Sequence, residues 1–164
     1  MFDHYSKRAL QVIFAAWFKA GERGSDAIDV GDLVVGLVLE DQGKMGDVLS
    51  FPSPSGVVVD RLDVHSPFIQ PEAANRLLLS VENNLTHSTT VPTSVDLPLS
   101  VELQGIFTFA EELRKVLVHE RMEPLHLLAG VFQEKSGVFS DQFREAGITQ
   151  DSVIAKLRET GGNQ

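Results

Sequence analysis

Residues 122–134 read Met-Glu-Pro-Leu-His-Leu-Leu-Ala-Gly-Val-Phe-Gln-Glu, and this stretch decides the fold. Pro124 stands at a first helical position, where the missing N–H costs nothing. Glu123 precedes it, at the positive end of the helix dipole. Leu127, Leu128, Val131 and Phe132 recur at spacings of three and four, which draws one apolar face on a helix. Gly130 lies inside that helix, where glycine costs about 1 kcal/mol relative to alanine. A glycine so placed lets another backbone come close.

The same pattern occurs earlier. Residues 29–40 read Asp-Val-Gly-Asp-Leu-Val-Val-Gly-Leu-Val-Leu-Glu. An offset of about 94 residues superposes the two stretches without a gap, the mark of an internal repeat. Ser6 then falls on Ser100, Ala16 on Ala110, Leu33 on Leu127, Gly36 on Gly130, Glu40 on Glu134 and Gly43 on Gly137. Apolar character is kept at Val12/Ile106, Ile13/Phe107, Ile28/Met122 and Val38/Phe132. The chain reads as two copies of one helical unit.

Taken in order, residues 5–22 are expected to form a helix capped by Ser6, with Leu10, Ile13, Phe14, Trp17 and Gly21 at helical spacing. Trp17 and Phe18 either pack beneath an added segment or form an apolar patch for a client; packing is the commoner fate. Asp29 can cap a second helix over 30–41, which Gly43 ends. Residues 44–70 form an irregular insert. Within it, 45–49 offers a short helix before a Pro- and Ser-rich break, and the β-branched run 57–64 reads as a covering loop or a short β-hairpin arm. Further helices are expected over 71–85, 98–119, 124–133 and 138–145, and a last one begins at Thr149 or Gln150.

Set out in this order, the residues resemble the Clp amino-terminal repeat, the Clp R repeat that opens the AAA+ unfoldases and disaggregases. The first copy carries the likeness in Phe2-Asp3-His4-Tyr5-Ser6-Lys7-Arg8-Ala9, Ile28 and Asp32-Leu33-Val34-Val35-Gly36-Leu37. The second carries it in Leu99-Ser100, the stretch 122–131 and Phe143-Arg144-Glu145-Ala146-Gly147-Ile148. The resemblance implies an all-α domain over 1–160. It comprises repeat one at 2–85 with its insert at 44–70, a linker at 86–97, repeat two at 98–160 and a tail at 161–164. It implies two pseudo-symmetric four-helix units, and a free-standing module that binds client polypeptides or the ATPase or protease subunits of a Clp system. Some members of that family bind phosphoarginine through a Thr at the first helix and a Glu just before the helix histidine. Here those positions hold Ser6 and Ser100, and Gly31 and Leu125. Both carboxylates are lost, and a guanidinium needs an anionic partner, so no phosphoarginine binding is expected there. The partner-binding surface is expected at Ser6, Gly31, Asp32, Ser100, Leu125 and His126, with Trp17 and Phe18 nearby. A small-molecule or peptide sensor using the cleft between the repeats is the alternative.

Composition narrows the remaining classes. The 164 residues carry a formal net charge of −9, which disfavours phosphate backbones and hence nucleic acid. No apolar run is long enough to span a bilayer. There is no cysteine and no secretory leader, and a cytoplasmic setting is expected. No Gly-x-x-x-x-Gly-Lys-Ser/Thr cradle and no Gly-x-Ser-x-Gly elbow occurs. His119-Glu120 starts like a zincin, but Glu123 stands where the second histidine is required. No enzyme activity, metal or cofactor is therefore expected. His4, His65, His87 and His119 read as solvent-facing or capping residues. His126 reads as a packed, hydrogen-bonded structural residue, and Asp32 in the first copy as a surface or capping carboxylate.

Overall fold

A computed structural model describes residues 2–45, 66–84, 97–133 and 138–161. Among them are seven helices: α1 (Lys7–Glu22), α2 (Val30–Asp41), α3 (Pro71–Asn84), α4 (Val101–Val116), α5 (Pro124–Val131), α6 (Val138–Glu145) and α7 (Gln150–Gly161). The fold is all-α. The expected short helix at 45–49 and the hairpin arm at 57–64 fall almost wholly outside the described residues, as does most of the linker.

Two helices form the centre. Every residue of α2 from Val30 to Glu40 is buried, and α5 is buried at all positions but Leu125. A helix apolar all round belongs inside a protein rather than on its face. Helix α1 packs on α2, α4 packs on α5, and the two centres touch each other. Both outer contacts are close. A Cβ on Gly36 would lie 2.6 Å from the Val12 carbonyl oxygen, and one on Gly130 would lie 2.9 Å from that of Ile106. Val12 and Ile106 are equivalent under the repeat offset, so the same backbone-to-backbone approach is built twice.

That approach corrects the expected face of α1. The buried residues are Ala9, Val12, Ala15, Ala16, Ala20 and Gly21. They are small because a glycine-bearing helix lies against them. The larger Leu10, Ile13, Phe14 and Trp17 turn to the neighbouring face and stay partly exposed. The expected helix over 98–119 is also shorter. Pro98 and Leu99 are extended, and Ser100 caps α4 by accepting a 3.2 Å bond from the Leu103 amide.

The repeats are joined by two short parallel bridges, Tyr5 with Met122 and Leu99 with Ile28. Ser6 N–H donates to Met122 O at 2.9 Å, and Met122 N–H donates to His4 O at 2.7 Å. Ser100 N–H donates to Ile28 O at 2.9 Å, and Ile28 N–H donates to Pro98 O at 2.8 Å. Each bond of one pair maps onto a bond of the other by the repeat offset. The segment leading into each repeat's first helix therefore pairs with the segment leading into the other repeat's second helix.

Helix ends are duplicated too. After α1, Gly24 N–H donates to Gly21 O and Ser25 N–H to Ala20 O; after α4, Val118 N–H donates to Lys115 O and His119 N–H to Arg114 O. Both are Schellman closures, which need a left-handed residue at the turn. Gly24 takes φ 71° at no cost, whereas Val118 takes φ 56° with its side chain 88% exposed. A β-branched residue in that region costs about 1–2 kcal/mol. Val118→Gly is expected to raise the unfolding free energy by about 1 kcal/mol in a urea melt, net of glycine's greater unfolded-state entropy. A loss of stability would contradict the strain at this turn.

Candidate functional site

The larger concavity is an open groove of about 1020 Å³ between α1 and α4, the first helices of the two repeats. Leu10, Ile13, Phe14 and Trp17 of α1 form one wall. Phe107, Thr108, Glu111 and Glu112 of α4 form the other, and the bridged segments at Tyr5, Ile28 and Leu99 make the floor. Phe14 and Trp17 contact each other with ring centroids 5.6 Å apart. Tyr5, Phe2 and Phe107 meet edge to face beneath them. Burial, with Glu111 adding to it, pushes the Tyr5 phenol up to about 12, so this floor stays uncharged. On the α4 wall, Arg114 holds both oxygens of Glu111 and keeps its carboxyl below the usual range. What the groove offers is half-exposed apolar and aromatic surface at the seam of the repeats.

A second, smaller groove of about 610 Å³ crosses the same seam elsewhere. Leu37 and Glu40 of α2, Phe68, Leu125 and Leu128 of α5, and Leu157 of α7 line it, with Arg8 and Glu123. Arg8 grips both oxygens of Glu40 at 2.8 and 2.9 Å. Burial alone would lower the Arg8 pKa, but these bonds and the charges of Glu40, Glu123 and Asp41 together outweigh it and raise it.

Between the grooves, each central helix is anchored at its start by a buried polar pair. In α2, the Asp32 carboxylate accepts the Asp29 N–H at 2.9 Å and receives Arg23 through two bonds of 2.8 and 2.7 Å. In α5, His126 holds the equivalent place. Its Nδ1 accepts the Glu123 N–H at 2.8 Å. Nε2 must then carry the proton and donate it to Nδ1 of His119, 2.9 Å away. His119 is thus buried and bonded, not solvent-facing as its surroundings in sequence implied: the Schellman turn after α4 folds it inward over α5.

The residues expected at the partner surface do not converge on one place. Ser6 and Ser100 cap α1 and α4, and each hydroxyl reaches a carboxylate of the opposite repeat. Ser6 Oγ donates to Glu123 Oε2 at 3.0 Å, and Ser100 Oγ donates to Asp29 Oδ1 at 3.1 Å. These acids come from the residues that start the central helices, two positions before Gly31 and Leu125. Gly31, Asp32 and His126 are buried, so Asp32 is a capping group and not a surface one. Leu125 lines the smaller groove and Trp17 the larger, while Phe18 packs half-buried against the core. Leu10, Ile13 and Phe14 form a helical stripe in the sequence with the spacing of a core face, yet they line the larger groove. Arg23 and His119 carry no sequence signal, because the partners they meet are fixed only by the turns.

These features define an all-α tandem-repeat fold, the fold of the Clp amino-terminal domains. No family model matches the chain. Over 155 residues it is 23% identical to the chloroplastic chaperone protein ClpD of Arabidopsis thaliana, a match that covers 94% of this chain and 15% of that protein. The chain thus spans a small part of that relative's length. Among solved structures, it resembles the amino-terminal domain of Arabidopsis thaliana ClpD (TM-score 0.57, 17% identity, covering 94% of this chain and 92% of that one). It also resembles the Hsp104 amino-terminal domain of Candida albicans (TM-score 0.62, 15% identity, 99% and 94%). A third likeness is to a chain from structural work on a malarial protein secretion system (TM-score 0.70, 14% identity, 96% and 94%). Among the described residues, no helix is long and apolar enough to cross a membrane, and no group of three or more His, Cys, Asp or Glu side chains is arranged to hold a metal.

The buried histidine pair has a pH consequence. Burial, with His119 adding to it, pushes His126 down to about 4, against about 6.5 for an exposed imidazole. Between those values the unfolded chain holds a proton that the folded one excludes. The contribution of His126 to stability is complete above about 6.5 and is lost as pH falls toward 4. Urea midpoints are expected to drop over that interval, and His126→Gln is expected to flatten the drop while lowering stability at neutral pH. A midpoint unchanged between pH 7 and 4.5 would contradict the pair as built.

Proposed function

We propose that this domain binds polypeptides as an accessory module of a Clp-type chaperone or protease system, without chemistry of its own. Its partners on this reading are client segments, or the ATPase or protease subunits that process them. The observation that carries the proposal is the groove between α1 and α4. Leu10, Ile13, Phe14 and Trp17 form a contiguous apolar wall beside a polar one, the arrangement by which a groove takes the apolar face of an incoming chain. The likeness to ClpD and Hsp104 amino-terminal domains supports the same reading. The alternative, a small-molecule or peptide sensor in the cleft between the repeats, draws support from the smaller groove, where charged and leucine side chains converge.

Trp17 is the single tryptophan of the chain and lines the groove, so its emission reports occupancy directly. A tryptophan-free acetylated peptide with leucine and phenylalanine at alternate positions is expected to shift that emission to the blue with a saturable curve. Phe14→Asp is expected to weaken binding at least tenfold with the helical circular dichroism unchanged. A flat titration, or equal affinity in the variant, would contradict the proposal.

A further inference from the structure

The smaller groove differs from the larger in chemistry, and Glu123 is the reason. This residue precedes Pro124 at the start of α5 and lines the groove half-buried. One of its oxygens accepts the Ser6 hydroxyl. Burial holds the carboxyl above the usual carboxylate range, a rise that the Ser6 bond and Arg8 only partly oppose. Among the described residues, the other charges at the rim are already engaged. Arg8 is clamped on Glu40, Asp41 accepts the Phe68 and Ile69 amides at 2.8 and 3.0 Å, and Lys156 lies 3.6 Å from Glu159. Below Glu123, the floor is apolar: Leu37, Phe68, Leu125, Leu128 and Leu157. A half-buried carboxylate beside an apolar floor is complementary to a cation carried on an apolar stem.

We propose that this groove seats a lysine side chain of a partner polypeptide, its ammonium on Glu123 and an adjoining leucine-sized residue on the leucine floor. An ammonium fits better than a guanidinium. Ser6 occupies one carboxylate oxygen, which leaves no free parallel pair for the planar fork of arginine, whereas a compact charge needs only the remaining oxygen. The Arg8 charge is felt at Glu123, and Glu40, which Arg8 grips through two bonds, offsets its repulsion of the incoming cation. Among the described residues, the arrangement has no counterpart in the other repeat. The repeat offset carries Glu123 to Asp29, which accepts the Ser100 hydroxyl as Glu123 accepts that of Ser6. It carries Leu125 to the buried Gly31 and Arg8 to Glu102, so the other side has neither the floor nor the clamp. The inference goes beyond the binding of apolar segments in the larger groove and stands on different residues.

The test is fluorescence anisotropy with an Ala-Leu-Lys-Leu-Ala-Ala amide that carries fluorescein on its amino terminus, so that its one amine is the lysine. The expected result is one site per chain, with affinity at least tenfold above that of the same peptide carrying norleucine for lysine, and an arginine peptide between the two. Glu123→Gln is expected to abolish the preference for lysine over norleucine. Leu125→Asn is expected to weaken all three peptides alike. Affinity is also expected to fall on acidification, as Glu123 takes up a proton. Equal binding of the lysine and norleucine peptides would overturn the proposal, as would an unchanged preference in a folded Glu123→Gln protein. So would n-butylamine competing as well per molecule as the whole peptide, which would make the ligand a small amine. Trp17 emission and this preference are separate readouts, so either reading fails without the other.

Discussion

Ser6 N–H reaches Met122 O in the second repeat, and Ser100 N–H reaches Ile28 O in the first. These exchanged bonds and their partners from Met122 and Ile28 are the constraint on which the rest of the structure depends. They satisfy backbone groups that would otherwise be buried without partners, since Met122 is fully buried and Ile28 nearly so. They also fix where four helices begin, because Ser6, Asp29, Ser100 and Glu123 stand at the helix starts next to them. A chain in which each repeat closes on itself would leave the segments before these helices unpaired. Exchange makes the pair of repeats one cooperative body and brings α1 and α4 alongside, which creates the larger groove at their seam.

The repeats share a backbone plan and diverge in the side chains that complete it. At the third position of the central helix, Asp32 meets Arg23 in one copy and His126 meets His119 in the other. Both pairs cap the start of the helix from inside. They differ in chemistry: one is an ion pair, and the other is a pair of imidazoles that mild acid disturbs. The same divergence gives the two sides different surfaces. Leu125 and Arg8 open a groove on one side, where Gly31 and Glu102 stand on the other.

Helix position and duplication were legible because they depend on short-range signals: proline at helix starts, serine and aspartate caps, and glycine at left-handed turns. Helix α2 is bounded by Asp29 and Gly43 as expected for that reason. What the sequence did not disclose depends on which surface meets which. The stripe Leu10, Ile13, Phe14 and Trp17 has the spacing of a core face, but the core went to Ala9, Val12, Ala16 and Ala20 because Gly36 draws α2 too close for larger residues. The carboxylates beside Ser6 and Ser100 are 117 and 71 residues away in the chain. Pairing of that kind follows from the exchange between repeats, which no local pattern announces. The burial of His119 was hidden for the same reason, its partner being set by the turn after α4.

Native-state amide hydrogen exchange at Ser6, Ile28, Ser100 and Met122 tests the exchanged bridges most directly. If the two repeats are one cooperative body, these four amides exchange only through global unfolding, with one common free energy equal to that from denaturant melts. Different free energies for the Ser6/Met122 and Ile28/Ser100 pairs, or values well below the global one, would contradict the account.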